Sequence, residues 1–248
     1  MSEETELEGK VAVVTGGGRG IGAAIAVSCA REGARVGLVA RTVEQLNTVA
    51  KDIDDTGADV TVIPTDVTDR RQTEAMAETV REYFGRIDIL FNNAGGGTER
   101  RSIAESDPDE WTATVDLNLT SAYYVTHALL PLMIESGGGK IINTGSGMGH
   151  RPGDSGSAYR VGKAGMWMFT QCLAEEVWEH GITVNELIPG HVATYLTEGR
   201  MEVGGPPPFA PSEHVKGPED GVPLAMWLAT QPSTGPTAQT FSLTRRPI

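Results

Sequence analysis

Tyr159 and Lys163 stand four positions apart where an apolar stretch of helical pattern begins, so both side chains project from one face, one turn apart. A phenol with an ordinary pKa of about 10 is a poor proton carrier at neutral pH, but a nearby ammonium favours the phenolate and lowers that value. Ser146 lies thirteen residues earlier, where its hydroxyl could share a substrate oxygen with the phenol. Such a trio could pass a proton to or from a carbonyl or alcohol oxygen. Taken by itself, Tyr-x-x-x-Lys equally fits a half-buried tyrosine beside a solvated lysine, so the reading depends on its surroundings.

The second stretch with chemical meaning is Thr15-Gly16-Gly17-Gly18-Arg19-Gly20-Ile21-Gly22, preceded by the β-branched run Val11-Ala12-Val13-Val14 and followed by Ile25 and Cys29 at helical spacing. That is a strand, a glycine turn and a helix. Glycines permit positive φ and close approach of a pyrophosphate, and the free amides and dipole of the following helix attract the anion. The common G-x-G-x-x-G pattern fits only loosely, as Gly18, Gly20 and Ala23, and a plain tight turn is the competing explanation.

The elements around these residues alternate. Strands are expected at 34–40, 60–63, 87–91, 140–143, 183–187 and 239–243, with helices at 42–56, 70–84, 109–134, 158–179 and 218–229. This order predicts an α/β fold: a doubly wound, mostly parallel sheet with helices on both faces. In such sheets ligands bind beyond the carboxyl ends of the strands, which directs attention to Asp66-Val67, Asn92-Asn93-Ala94-Gly95, Ser146 and Pro189-Gly190. The 248 residues suit a single domain, and the Pro- and Gly-rich segment at about 195–218 reads as a substrate lid.

The chain carries 33 acidic against 20 basic side chains, a net charge of −13, which disfavours nucleic acid and anionic membranes as partners. Leu117 to Ile134, although uncharged, contains too many polar groups to span a membrane and reads as a packed helix. Cys29 and Cys172 both fall in apolar helical surroundings, so buried reduced thiols are expected rather than a disulfide or metal pair. With a polar, acidic start at Met1-Ser2-Glu3-Glu4, the chain reads as cytoplasmic.

From Lys10 to about Leu243 the sequence resembles the short-chain dehydrogenase/reductase family, in its one-domain branch. The resemblance rests on Thr15 to Gly22, Asp66-Val67, Asn92-Asn93-Ala94-Gly95, Asn118, Ser146, Tyr159-x-x-x-Lys163 and Pro189-Gly190-x-x-x-Thr194, in that order. It implies a Rossmann-like fold, a nicotinamide cofactor and a catalytic set of Asn118, Ser146, Tyr159 and Lys163. Tyr159 would be the general acid in reduction and the base in oxidation, Lys163 would hold the nicotinamide ribose and depress the Tyr159 pKa, Ser146 would orient the carbonyl, and Asn118 would link Lys163 to solvent. Cofactor contacts are implied for Gly16, Gly18, Arg19, Gly20, Ile21, Gly22, Asp66, Val67, Asn92, Ala94, Gly95, Tyr159, Lys163, Pro189, Gly190, Val192 and Thr194. Two departures stand out. Gly145 occupies a place where relatives often carry serine, and the tail from Ser242 to Ile248 lacks their usual Asp-Gly-Gly ending.

Relatives that use NAD place an acidic residue at the end of the second strand, whereas this chain has Ala40 followed by Arg41, with Arg19 in the glycine turn. Two guanidinium groups suit a 2′-phosphate, so NADP(H) is expected over NAD(H). Met148, Tyr195, Leu196 and Met201 suggest an apolar pocket, His150 and His191 are expected near its open side, and Arg100 and Arg101 are either a carboxylate lure or a solvated pair. The expected reaction interconverts a small-molecule ketone and secondary alcohol. The alternatives are a catalytically silent sensor or scaffold, and an epimerase or dehydratase, which would call for a longer segment after Gly190. Met166, Trp167, Met168, Phe169 and Cys172 make the second-last helix apolar around much of its girth, which predicts a homodimer or homotetramer.

Overall fold

The computed structural model describes residues 5–97, 99–194, 197, 201–207 and 210–245. Seven strands, β1 (Val11–Thr15), β2 (Arg35–Ala40), β3 (Val60–Pro64), β4 (Ile89–Asn92), β5 (Gly139–Thr144), β6 (Ile182–Ile188) and β7 (Gln239–Ser242), form one sheet in the order β3-β2-β1-β4-β5-β6-β7. Every pairing is parallel. The strand order reverses between β1 and β4, which opens a crevice at their carboxyl ends.

Helices α1 (Gly20–Arg31), α2 (Val43–Asp54) and α7 (Val222–Thr230) bury Ile25, Leu46, Val49 and Leu228 against one face of the sheet. On the other face α3 (Arg70–Phe84), α5 (Ser121–Glu135) and α6 (Ser157–Val177) bury Met76, Val80, Leu129 and Leu173. Val11 and Val13 of β1 join this second core while Ala12 and Val14 join the first. A strand covered on both sides has no wet face, which is why β1 reads as an unbroken apolar run.

Two expectations need correction. The helix expected over 109–134 is broken into α4 (Pro108–Val115), a π-helical turn at Asp116–Thr120, and α5. Cys172 is exposed, on the outward face of α6, whereas Cys29 is buried as expected and burial pushes its thiol up to about 12. The periodicity of α6 is apolar on both faces, so it cannot tell which side the cysteine takes.

Among the described residues, no helix is long and apolar enough to cross a membrane. Beneath the crevice, the carboxyl-terminal halves of the central strands carry a buried polar belt. Asn92 on β4 donates to Thr126 Oγ1 and to Asn143 Oδ1 on β5, each at 2.9 Å, and Asn143 donates to Thr170 Oγ1 of α6 at 2.9 Å. Buried amides cost free energy unless paired, and this belt locks the strands that carry the site to the helices behind them.

Candidate active site

The glycine turn is built against the end of β4. Gly16 has φ +67, and a Cβ added at Gly22 would come within 2.5 Å of Asn93 Nδ2, so side chains are excluded there by both conformation and space. Thr15 Oγ1 accepts from the amides of Asn93 and Ala94 at 3.0 and 3.1 Å, which clamps the ends of β1 and β4 together. Arg19 precedes α1, and no side chain caps the first amides of that helix. Uncapped amides behind a glycine turn suit a pyrophosphate. Gly20 faces Thr194, whose Cγ2 would lie 3.5 Å from an added Cβ, so the segment after β6 lies opposite the turn. Ala40 closes β2 beside Gly18. Arg41 follows with a side chain 70% exposed, in a loose 3.9 Å ion pair with Asp66 after β3. Val67 is buried.

On the other side of the crevice, Lys163 is buried and its Nζ donates to the Thr144 carbonyl at the end of β5, at 2.7 Å. Burial brings its pKa down from 10.5 to about 8, with the Glu186 carboxylate acting in the opposite sense. Its Nζ sits 5.9 Å from the centroid of the Tyr159 ring. The Tyr159 phenol is pushed up by burial, while a hydrogen bond with Ser146 and the charge of Arg100 pull it down. This differs from the expectation that Lys163 lowers the phenol's pKa. Desolvation outweighs those two favourable contacts, and Lys163 directs its proton to a backbone carbonyl.

Asn118 sits in the π-helical turn, where the wider spiral carries its amide toward β4. Its side chain donates to the carbonyls of Gly96 and Thr114, and accepts from the Gly96 amide at 3.1 Å. A Cβ at Gly95 would lie 3.0 Å from Asn118 Oδ1 and 3.1 Å from Lys163 Nζ, so these three residues meet. Ser146 opens a short 3-10 turn, Gly147–His150, and accepts the Met148 amide at 3.2 Å.

Several other candidates are accounted for differently. Asn92 turns its side chain into the polar belt rather than toward the crevice. Arg101 is held by Glu99 and Glu110, and its guanidinium keeps the Glu99 carboxyl down at about 2. It is therefore a paired surface side chain, 48% exposed, rather than a free carboxylate lure. Arg100, by contrast, is exposed and acts on Tyr159. His150 points to Glu186, with Nε2 2.9 Å from Oε2. The His191 carbonyl accepts the Lys216 amide at 2.8 Å. Met148 is exposed beside Ser146, Met201 is half-buried, and Tyr195 and Leu196 lie outside the described residues. Glu186 escaped the sequence reading, although an acidic residue inside the apolar run of β6 is the signal that would have found it.

Comparisons with known proteins bear on the family and the fold. The family profile described as short chain dehydrogenase matches residues 10–203. An uncharacterized oxidoreductase of Staphylococcus aureus is 35% identical over 230 residues, covering 92% of this chain and 94% of the relative. Among solved structures, levodione reductase superimposes with a TM-score of 0.86 at 30% identity, covering 96% of this chain and 97% of its own. Carveol dehydrogenase from Mycobacterium avium, in complex with NAD, gives 0.88 at 25% identity, with coverages of 96% and 97%.

The buried ammonium yields a stability test. Lys163 has a folded pKa of about 8 against an ordinary 10.5, so between those values the unfolded chain binds more protons and stability rises with pH. Urea unfolding of the wild type and of Lys163→Met should therefore differ in slope across that window, with the wild type gaining on the variant as pH increases. Parallel curves would show that the lysine is not desolvated.

Proposed function

The chain belongs to the short-chain dehydrogenase/reductase family, and we propose that it is an NADP(H)-dependent oxidoreductase acting on a ketone or secondary alcohol of modest size, with Tyr159 as general acid and base. The observation that carries this reading is the convergence of the Tyr159 phenol, its Ser146 hydrogen bond and the Lys163 ammonium across the crevice from the glycine turn. When bound, the nicotinamide cofactor supplies or takes the hydride. Gly16, Gly18, Arg19, Gly20, Ile21 and Gly22 would hold its pyrophosphate, and Thr194 with Pro189, Gly190 and Val192 its nicotinamide end. Ser146 would orient the carbonyl and stabilise its developing negative charge, while Tyr159 delivers the proton. Lys163, relayed through Asn118, would favour the phenolate in the oxidation direction.

Removal of the phenol hydroxyl should separate chemistry from binding. Tyr159→Phe is expected to hold NADPH affinity within a few-fold and to lower turnover by at least about a hundredfold, the lower end of general acid-base contributions. A variant as active as the wild type would discard the assignment. A wild type that binds NADPH but turns over nothing in a broad panel of ketones and alcohols would return the protein to the silent sensor.

The cofactor preference rests on Ala40 and on the largely solvent-exposed Arg41. Ala40→Asp combined with Arg41→Ala should repel the 2′-phosphate and offer the ribose an acceptor. Loss of one charge-assisted contact, about 1.5 to 3 kcal/mol, corresponds to roughly ten- to a hundredfold weaker NADPH binding. Equal use of both cofactors by the wild type would rule out the preference.

We also place the chain in a homodimer or homotetramer. Val161, Met168 and Tyr123 are 47%, 49% and 48% exposed on α6 and α5, and Tyr123 packs edge-on against Phe169. Light scattering at micromolar concentration should give a mass of at least twice 26.3 kDa; a monomer would reject the assembly. The exposed thiol of Cys172 fits a reducing cytoplasm. We read the segment at 195–218 as a substrate lid; in its described part Lys216 pairs with Val192, and Ala210 and Val215 are buried.

A further inference from the structure

Glu186 is the one carboxylate set fully inside the central sheet, at 0% exposure, among the described residues. It lies on β6, paired with Asn143 of β5 on one side and Thr240 of β7 on the other. Its Oε2 accepts the Thr240 hydroxyl at 2.7 Å and meets His150 Nε2 at 2.9 Å, while Oε1 is buried with no hydrogen-bond partner among the described residues. The His150 ring is further fixed edge-on against Trp167 at 5.4 Å.

Two glycines show how tightly this carboxylate is integrated with the active site. A Cβ at Gly145 would fall on the carboxylate, within 2.5 Å of both Cγ and Cδ of Glu186. The glycine that stands before Ser146 therefore leaves the space that the glutamate fills. A Cβ at Gly149 would lie 2.7 Å from the Lys163 carbonyl carbon and 2.9 Å from its Cβ. The turn from Ser146 to His150 is thus pressed between α6 at Lys163 and the Glu186 side chain.

We propose that Glu186 is a positioning residue for this site: it pins the Ser146 turn through His150 and places a negative charge where it supports the Lys163 ammonium. The proposal rests on the oxidoreductase reading above. The titratable groups that face Glu186 are His150 from the turn and Lys163 from α6, and its strand neighbours Asn143 and Thr240 do not titrate. Burial raises the Glu186 carboxyl, while Thr240, His150 and Lys163 pull it back toward ionisation. With the carboxylate gone, the Lys163 ammonium is less favoured and the Ser146 turn loses its anchor, and because the Ser146 hydrogen bond is what pulls the Tyr159 phenol down, the base form of Tyr159 appears at higher pH.

Two experiments test it. The first needs no turnover: melting temperatures of Gly145→Ser, Glu186→Ala and the double variant. Gly145→Ser alone should lower Tm by about 3 to 10 °C through overpacking, and the double variant should melt within about 2 °C of Glu186→Ala. Additive losses would show that the two side chains do not share the space. The second is Glu186→Gln, which keeps size and removes charge. It should lower kcat of alcohol oxidation at neutral pH at least about tenfold, leave the KM for cofactor within about threefold, and move the rising limb of the pH profile upward by about one unit. Unchanged kcat and profile would overturn the proposal, and an equal loss at every pH would overturn its electrostatic half. A wild type inactive on all ketones and alcohols would instead defeat the functional reading, with the melting cycle still deciding the packing claim.

Discussion

A cation buried under a phenol is the constraint on which the rest of the site depends. Lys163 is 3% exposed, and removing an ammonium from water costs several kcal/mol unless its surroundings compensate. Compensation comes from the Thr144 carbonyl and from the Glu186 carboxylate across the Ser146 turn, while Asn118 closes the space next to Nζ at Gly95. Thr144 ends β5, Glu186 lies in β6 and Asn118 in the turn between α4 and α5, so one charge ties three separate parts of the chain to a fourth, α6.

The polar belt makes that placement rigid. The Asn92 and Asn143 side-chain N–H groups are buried donors that must find partners, and each finds them across a strand boundary or on a helix behind the sheet, although Asn92 Oδ1 has no partner among the described residues. A slip of β5 by one residue would turn Asn143 out of the belt and bring Ile142 or Thr144 to its place. The register that satisfies the belt is also the register that sets the Thr144 carbonyl under Lys163 and Gly145 over Glu186. Core polarity here specifies geometry as much as stability.

Much of this was legible in the sequence because the responsible constraints are local. A β-branched run, five glycines and a helical repeat describe the first βα unit with little reference to anything else, and Tyr159 with Lys163 needs only the pitch of a helix. What escaped was set by distant partners. The π-helical turn that delivers Asn118 has no signature in Asp116–Thr120, because it depends on bonds to Gly96 and Thr114. His150 looked like a substrate-side residue until Glu186, thirty-six positions later, was seen to hold it. Gly145 read as a missing serine, and Glu186 as an odd acid in a strand; each explains the other only when β5 and β6 lie side by side.

Charge poses the remaining question, since a chain of net charge −13 is expected to bind a polyanionic cofactor. The overall field acts over about the Debye length, roughly 8 Å at physiological ionic strength, beyond which salt removes most of it. Inside that distance the crevice presents the amides of α1, which no N-cap side chain covers, and the exposed Arg41 guanidinium, with Arg19 at the position before the helix. The acidic residues near it are engaged: Asp66 binds Thr68 and Arg41, and Asp69 caps α3. Unfavourable net charge is therefore a matter of encounter rate in dilute salt, whereas retention of a phosphate-bearing cofactor as proposed would rest on amides and guanidinium groups at short range.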